Sequence, residues 1–281
     1  MARGDSARPS STIGRWLSPG STARLRLWTG LLLYTFLTTH LLNHALGLHS
    51  LAAMEAGREV FLAVWRAPVI DQLLLLALVL HPILALRRLW RRGSLRMPLI
   101  EAMQLVLGLT IPFYLTVHVL GTRGLSLCCG LDDTYTYFID LVWPNGADRQ
   151  IIMLLIAWTH GSIGFWFWLR LKPAWSRLRE PFAAFVVLLP ALAITGFLAA
   201  GREVARLEAT DPAAWRARVA GFDQPSEAVR ETFVYGPEGW IVTAFTLAVT
   251  LLLLARVIRW LIGRRRRVKI TYDGGQTVSV P

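Results

Sequence analysis

The chain has 281 residues, 54% of them hydrophobic and 17% charged, with a formal net charge of +12. Apolar residues gathered in runs of roughly twenty exclude an ordinary soluble domain and suit helices that cross a bilayer. The basic residues sit at the ends of those runs, which reads as membrane topology and argues against a nucleic-acid surface, and the adjacent Cys128 and Cys129 exclude a disulfide framework or a Cys-ligated cluster.

Residues 1–24 are polar and Arg-bearing, lack the early apolar core of a signal peptide, and read as a cytoplasmic segment. Six spans follow, within a membrane domain covering residues 25–263. The first runs from Leu25 to Leu48, after a helix-start signal at Ser21-Thr22. The second runs from Ile70 to Trp90, the third from Glu101 to Gly121 around Pro112, and the fourth from Ile151 to Leu171. The fifth runs from Phe182 to Ala200 around Pro190, and the sixth from Trp240 to Ile262. Internal prolines are tolerated in membrane helices and mark kinks.

Most of the 30 basic residues fall on one side of this arrangement. They are Arg3 to Arg26, Arg87 to Arg96, Arg170 to Arg179, and Arg256 to Lys269. The positive-inside rule then places both termini in the cytoplasm, as an even number of spans requires. The loop from Gly201 to Glu238 lies outside, and its stretch from Asp211 to Val234 reads as a solvated helix over the outer face. Residues 264–281 comprise a basic linker and an alternating Val268, Ile270, Tyr272 pattern before Asp273-Gly274-Gly275, the signature of a β-hairpin. A lone hairpin is marginal in water, so these residues read as the start of another domain.

Five of the six histidines fall inside the spans, and each of the first four spans has at least one. Ionisable side chains in a bilayer are costly and face the bundle interior for a functional reason. A helix rises ~1.5 Å per residue, which puts His40 ~22 Å and His118 ~26 Å from the inner starts of their spans. His81 lies ~16 Å and His160 ~14 Å from the outer starts. Depth therefore pairs the first span with the third and the second with the fourth, the diagonal pairs of an up-down four-helix bundle. Imidazoles meeting across a diagonal can ligate both faces of a haem iron and leave no open position, which favours electron transfer. The two levels would stack two b-type haems roughly 10 Å apart along the membrane normal. His40 and His44 lie one turn apart on one face, so either can partner His118, while His81 partners His160. Gly30, Leu33, Leu37, His40, His44 and Gly47 share a stripe on which the glycines leave room for a flat ring. His49 reads as a surface residue.

A bare metal site is disfavoured, because the two histidine layers lack carboxylates beside them. A proton path would need paired Asp or Glu at membrane depth. Arg24, Arg87, Arg123 and Arg170 are candidates for pairing with haem propionates, and equally serve as topology charges. Trp158, Trp166 and Trp168 could line a cofactor pocket, although lipid-facing packing is the plainer use. No catalytic residue is identified.

Thr39-His40-Leu41-Leu42-Asn43-His44, with a histidine on each of four successive spans, resembles the dihaem cytochrome b anchors of succinate dehydrogenase and fumarate reductase. That likeness favours His40 over His44 as ligand. Six spans and a further C-terminal domain depart from that family. The segments Thr39 to Gly47, Ala53 to Arg58 and Trp158-Thr159-His160-Gly161 resemble the haem-binding six-span anchor of bacterial class III adenylate cyclases. This second resemblance implies an all-α domain in the bacterial inner membrane, its first four helices a haem-binding bundle. It implies two haem b groups, reduction by quinol or another donor, and a 2Fe-2S ferredoxin-like domain and dimeric cyclase domains beyond residue 281. Homodimerisation follows from those catalytic domains. The chain holds none of the cyclase's metal-binding aspartates, so cyclase activity is not expected of it alone. Two other readings stand beside this one. The chain could be a quinone-reactive cytochrome b subunit serving an iron–sulfur partner, or a haem-free membrane sensor or dimerisation anchor.

Overall fold

The computed structural model describes residues 19–220, 225–265, 268–271 and 277–280. The expected cytoplasmic segment up to residue 18 and the Asp273-Gly274-Gly275 turn lie outside the described residues. The protein is an all-α, membrane-type fold. Its helices are α1 (Pro19–Ala45), α2 (Leu51–Trp65), α3 (Pro68–Arg91), α4 (Leu99–Cys129), α5 (Tyr135–Val142), α6 (Ala147–Leu169), α7 (Trp175–Thr210) and α8 (Pro212–Ala220). The last, α9, runs from Glu227–Arg230 through a π turn into Gly236–Arg265. Strands β1 (Val268–Thr271) and β2 (Thr277–Val280) pair antiparallel, with Val268 opposite Val280.

By length and composition, α3, α4, α6, α7 and α9 are apolar enough to cross a membrane. Helix α1 falls short of that apolarity because Arg24, Arg26, His40, Asn43, His44 and five threonines interrupt its run. With α3, α4 and α6 it forms a four-helix bundle. Neighbours around the bundle are α3–α1, α1–α6 and α6–α4, so α1 faces α4, and α3 faces α6, across the two diagonals. Helix α7 packs on α1 and α6, and α9 lies against α4 and α3.

Apolar side chains fill the joints. Tyr34, Leu41, Leu154, Trp158, Leu189 and Ala193 form one cluster between α1, α6 and α7. A second cluster, containing Leu51, Met54, Ile139, Phe197, Val204 and Trp215, seats α2, α5 and α8 over one end of the bundle. We call this the capped end, and the opposite end, rich in arginine, the basic end. Helices α2 and α5 were not anticipated from sequence. Ser50 starts α2 by accepting from the Ala53 N–H at 3.0 Å, and Thr134 starts α5 by accepting from the Tyr137 N–H at 3.1 Å. Gly130, at φ 70°, ends α4 in the left-handed conformation that glycine adopts without a Cβ penalty. Asp133 accepts from Arg58 at 3.0 Å and also from Arg66, which fastens α2 to the start of α5.

The stretch expected to lie over the outer face does include a helix, α8. Its Trp215 is buried and donates to Asp140 at 2.8 Å, so α8 is an anchored part of the cap. Helix α7 also runs ten residues past the predicted end of the fifth span, to Thr210.

Candidate functional site

The bundle's sequence places histidine on helices that meet only across the diagonals. His40 on α1 and His118 on α4 form an upper layer near the capped end, with ring centroids 6.2 Å apart and planes at 70°. His81 on α3 and His160 on α6 form a lower layer, with centroids 6.3 Å apart and planes at 87°. Two imidazoles on one iron have ring centres roughly 6.3 Å apart, given a nitrogen–metal distance of about 2.0 Å. Both separations match that requirement.

The lower rings are pressed against glycine. A Cβ at Gly30 would lie 2.9 Å from His81 Cε1, and a Cβ at Gly108 would lie 2.6 Å from His160 Cε1. Any larger residue at either place would displace the ring. Each ring is also held at Nδ1, His81 by Thr29 Oγ1 at 3.2 Å and His160 by the Gln104 carbonyl at 2.9 Å.

The upper layer is built differently. His40, His44 and His118 line a cavity with Leu37, Phe138 and Gln150. Among the described residues, the buried Nδ1 atoms of His44 and His118 have no hydrogen-bond partner. His44 stacks edge-on against His40 at 4.6 Å and against Tyr135 at 5.4 Å. The structure thus brings His40, not His44, to sandwich distance from His118, and leaves His44 as a third imidazole at the rim. Phe138 closes over His118 at 5.2 Å. Outside the membrane segments, burial pushes the Tyr135 phenol up, so it stays neutral beside His44.

Of the expected stripe, Leu37, His40 and His44 do face the cavity. Gly47 serves helix packing instead, since a Cβ there would strike Met54 Sδ and the Gly196 carbonyl. His49 is exposed. Trp158 does not face lipid. It is 2% exposed and stacks on Tyr34 at 5.2 Å. Arg123 is taken up by Asp71 at 2.6 Å, and Arg170 lies over the Trp166 and Phe167 rings at 4.4 and 4.9 Å. Neither guanidinium is directed at the histidine layers. Cys128 and Cys129 are joined to each other in a vicinal disulfide. Among the described residues no three His, Cys, Asp or Glu side chains converge as a metal-ion cage. Paired imidazoles at two separate levels are the donor set here.

No family model matches the chain, and no curated protein or solved structure was found to be similar to it. The functional reading therefore stands on residues and geometry.

Thr29, Gln104 and Gly108 were missed in the sequence. The signal for Gly108 was present in principle: it lies almost three turns before His118, between Leu107 and Leu109 in a mostly apolar run.

Proposed function

We propose that this chain is a membrane-embedded dihaem b-type cytochrome domain with six spans, in which His40 and His118 bind one haem and His81 and His160 the other. The observation that carries this reading is the pair of imidazole separations, 6.2 and 6.3 Å, each formed across a bundle diagonal where the helix backbones do not pack on one another. The glycine seats at Gly30 and Gly108, which let the His81 and His160 rings lie against neighbouring backbone, fit the same ligand set. Bound haem supplies one-electron chemistry between its ferric and ferrous states.

The residues of the chain do the rest. His40 with His118, and His81 with His160, would each supply two imidazoles to one iron and so would favour electron transfer over small-ligand binding. Leu37, Leu41, Leu154 and Phe197 give the upper cavity an apolar lining. The cap of α2, α5 and α8 closes the upper end, and Arg58, Arg66 and Asp133 hold that cap in place. Helix α1 spans the membrane as the sixth crossing. Its 27 residues reach about 40 Å, and its polar residues serve the bundle interior.

In the cell the domain acts as a redox-sensing, homodimeric anchor in the bacterial inner membrane. It receives electrons from quinol and regulates a cytoplasmic adenylate cyclase through a ferredoxin-like domain. That role rests on the resemblance of the Thr39 to Gly47 and Trp158 to Gly161 segments, and on α9 leading into the β1–β2 pair. The deciding experiment is a reduced-minus-oxidised visible spectrum of the purified chain. The expected result is the sharp α-band of low-spin bis-histidine haem, with about half the haem lost in each of His81→Ala and His118→Ala. A colourless protein would reject the reading.

A further inference from the structure

We propose that Thr29 is a positioning residue for the lower imidazole pair, fixing His81 as the Nδ1–H tautomer so that its Nε2 lone pair is free for iron. This deepens the haem reading and rests on it.

The argument begins with one proton. A threonine hydroxyl has a single O–H and can accept as well as donate. Thr29 Oγ1 lies 2.9 Å from the Leu25 carbonyl and 3.1 Å from the Arg26 carbonyl of its own helix. Carbonyls only accept, and with two of them in reach we assign the hydroxyl proton to the helix. Toward His81 Nδ1, 3.2 Å away, Thr29 then accepts. The proton in that hydrogen bond belongs to the imidazole. A neutral imidazole that donates from Nδ1 carries its lone pair on Nε2. Gly30, the next residue, lets the ring lie close enough for this contact, since a Cβ there would be 2.9 Å from Cε1. Threonine and glycine side by side therefore make a seat on α1 for a histidine of α3.

His160 has the matching arrangement from a different source. Its Nδ1 faces the Gln104 carbonyl at 2.9 Å, again an acceptor, and Gly108 makes room for the ring. His118 has no such partner at its buried Nδ1 among the described residues. The two layers therefore differ in their support. A ligand imidazole whose outer N–H is hydrogen-bonded has fixed orientation and is more basic toward the metal, which stabilises the ferric state. Thr29 accordingly holds the reduction potential of the lower site down.

The test uses the full chain purified with its haem. Wild type, Thr29→Val and Thr29→Ser are titrated spectroelectrochemically, each also with His40→Ala to isolate the lower component. Valine keeps the shape and removes the acceptor; serine keeps it. We expect Thr29→Val to shift the lower component upward by about tenfold in its reduction equilibrium, ~59 mV for one electron. Thr29→Ser should titrate as wild type, and the other component should not move. Independently, the ¹⁵N shifts of His81 in the haem-free chain should report Nδ1 protonated. This readout stands even if the valine variant does not assemble. If wild type binds no haem, the dihaem reading falls. If haem binds but Thr29→Val leaves the lower component unmoved, or serine fails to restore it, or His81 carries its proton on Nε2, the assignment of Thr29 is overturned and the dihaem reading stands.

Discussion

Trp158 donates its indole N–H, at 2.8 Å, to the carbonyl of Val186, the one backbone acceptor that Pro190 leaves without its helical donor. In a bilayer such a carbonyl has no water to turn to. A side chain on α6 thus repairs the backbone of α7, and the repair fixes where α7 packs against the bundle. Trp158→Phe keeps an aromatic side chain, smaller than indole, and removes the donor. It should cost about 1–3 kcal/mol through the unsatisfied buried carbonyl. In a Pro190→Ala background the helical N–H returns, and the same substitution should cost clearly less. Thermal unfolding of the four proteins in one detergent checks this. Equal losses in both backgrounds would show that Trp158 acts by packing alone.

Gly108 separates a geometric requirement of the lower site from general helix packing. Gly108→Ala places a Cβ 2.6 Å from His160 Cε1, and the ring must move. The expected outcome is loss of the lower-layer haem, about half the total by pyridine haemochrome assay. Gly121→Ala, on the same helix but with nothing within 4 Å of the new Cβ, should retain the full complement. Stability should change by about 0.5 kcal/mol or less in that control.

Arg256 ties α9 to α3. Only 9% exposed, it donates to the Leu89 carbonyl at 2.6 Å, at the α3 C-terminus, where it joins the Arg92 N–H as a second donor to that oxygen. Arg259 reinforces the joint by stacking on Trp90 at 4.0 Å. Arg256→Met removes one charged hydrogen bond while Leu89 keeps its backbone donor, and should cost about 1 kcal/mol. Hydrogen exchange should quicken in the last turn of α3 and the loop after it, with α6 unaffected. Unchanged exchange at α3 would mean that α9 is held by its apolar contacts only.

Residues differ in how much of this their positions reveal. The diagonal pairing of α1 with α4 and of His81 with His160 was legible because helical rise converts sequence position directly into depth, whereas depth left His40 and His44 open as the partner of His118. The capping helices α2 and α5 were not legible, because Glu55, Arg58 and Glu59 break any apolar run and their starts rest on single side-chain caps at Ser50 and Thr134. Thr29 was hidden for another reason. A membrane threonine bonds to its own helix in either case, and its second role, as acceptor for His81, exists only once α3 is packed against α1. Trp158 was expected to face lipid because nothing local shows that Pro190, 32 positions on, needs its indole N–H.

Helix α1 decides the number of crossings. It is less apolar than its five neighbours, yet it supplies His40 and the seat for His81. If it spans, Arg24 and the α3–α4 loop lie on one side of the membrane and His49 lies on the other. If it does not, Arg24 and His49 share a side. All three positions are testable, because Arg24, Leu95 and His49 are exposed. In a Cys128→Ser/Cys129→Ser background, Arg24→Cys, Leu95→Cys and His49→Cys are labelled with an impermeant maleimide in sealed vesicles of known orientation. We expect Arg24→Cys and Leu95→Cys to react from the same face, and His49→Cys only from the opposite face. Reaction of Arg24→Cys and His49→Cys from a common face would remove the sixth span. It would also take His40 out of the bilayer, so the upper haem site would be lost with it.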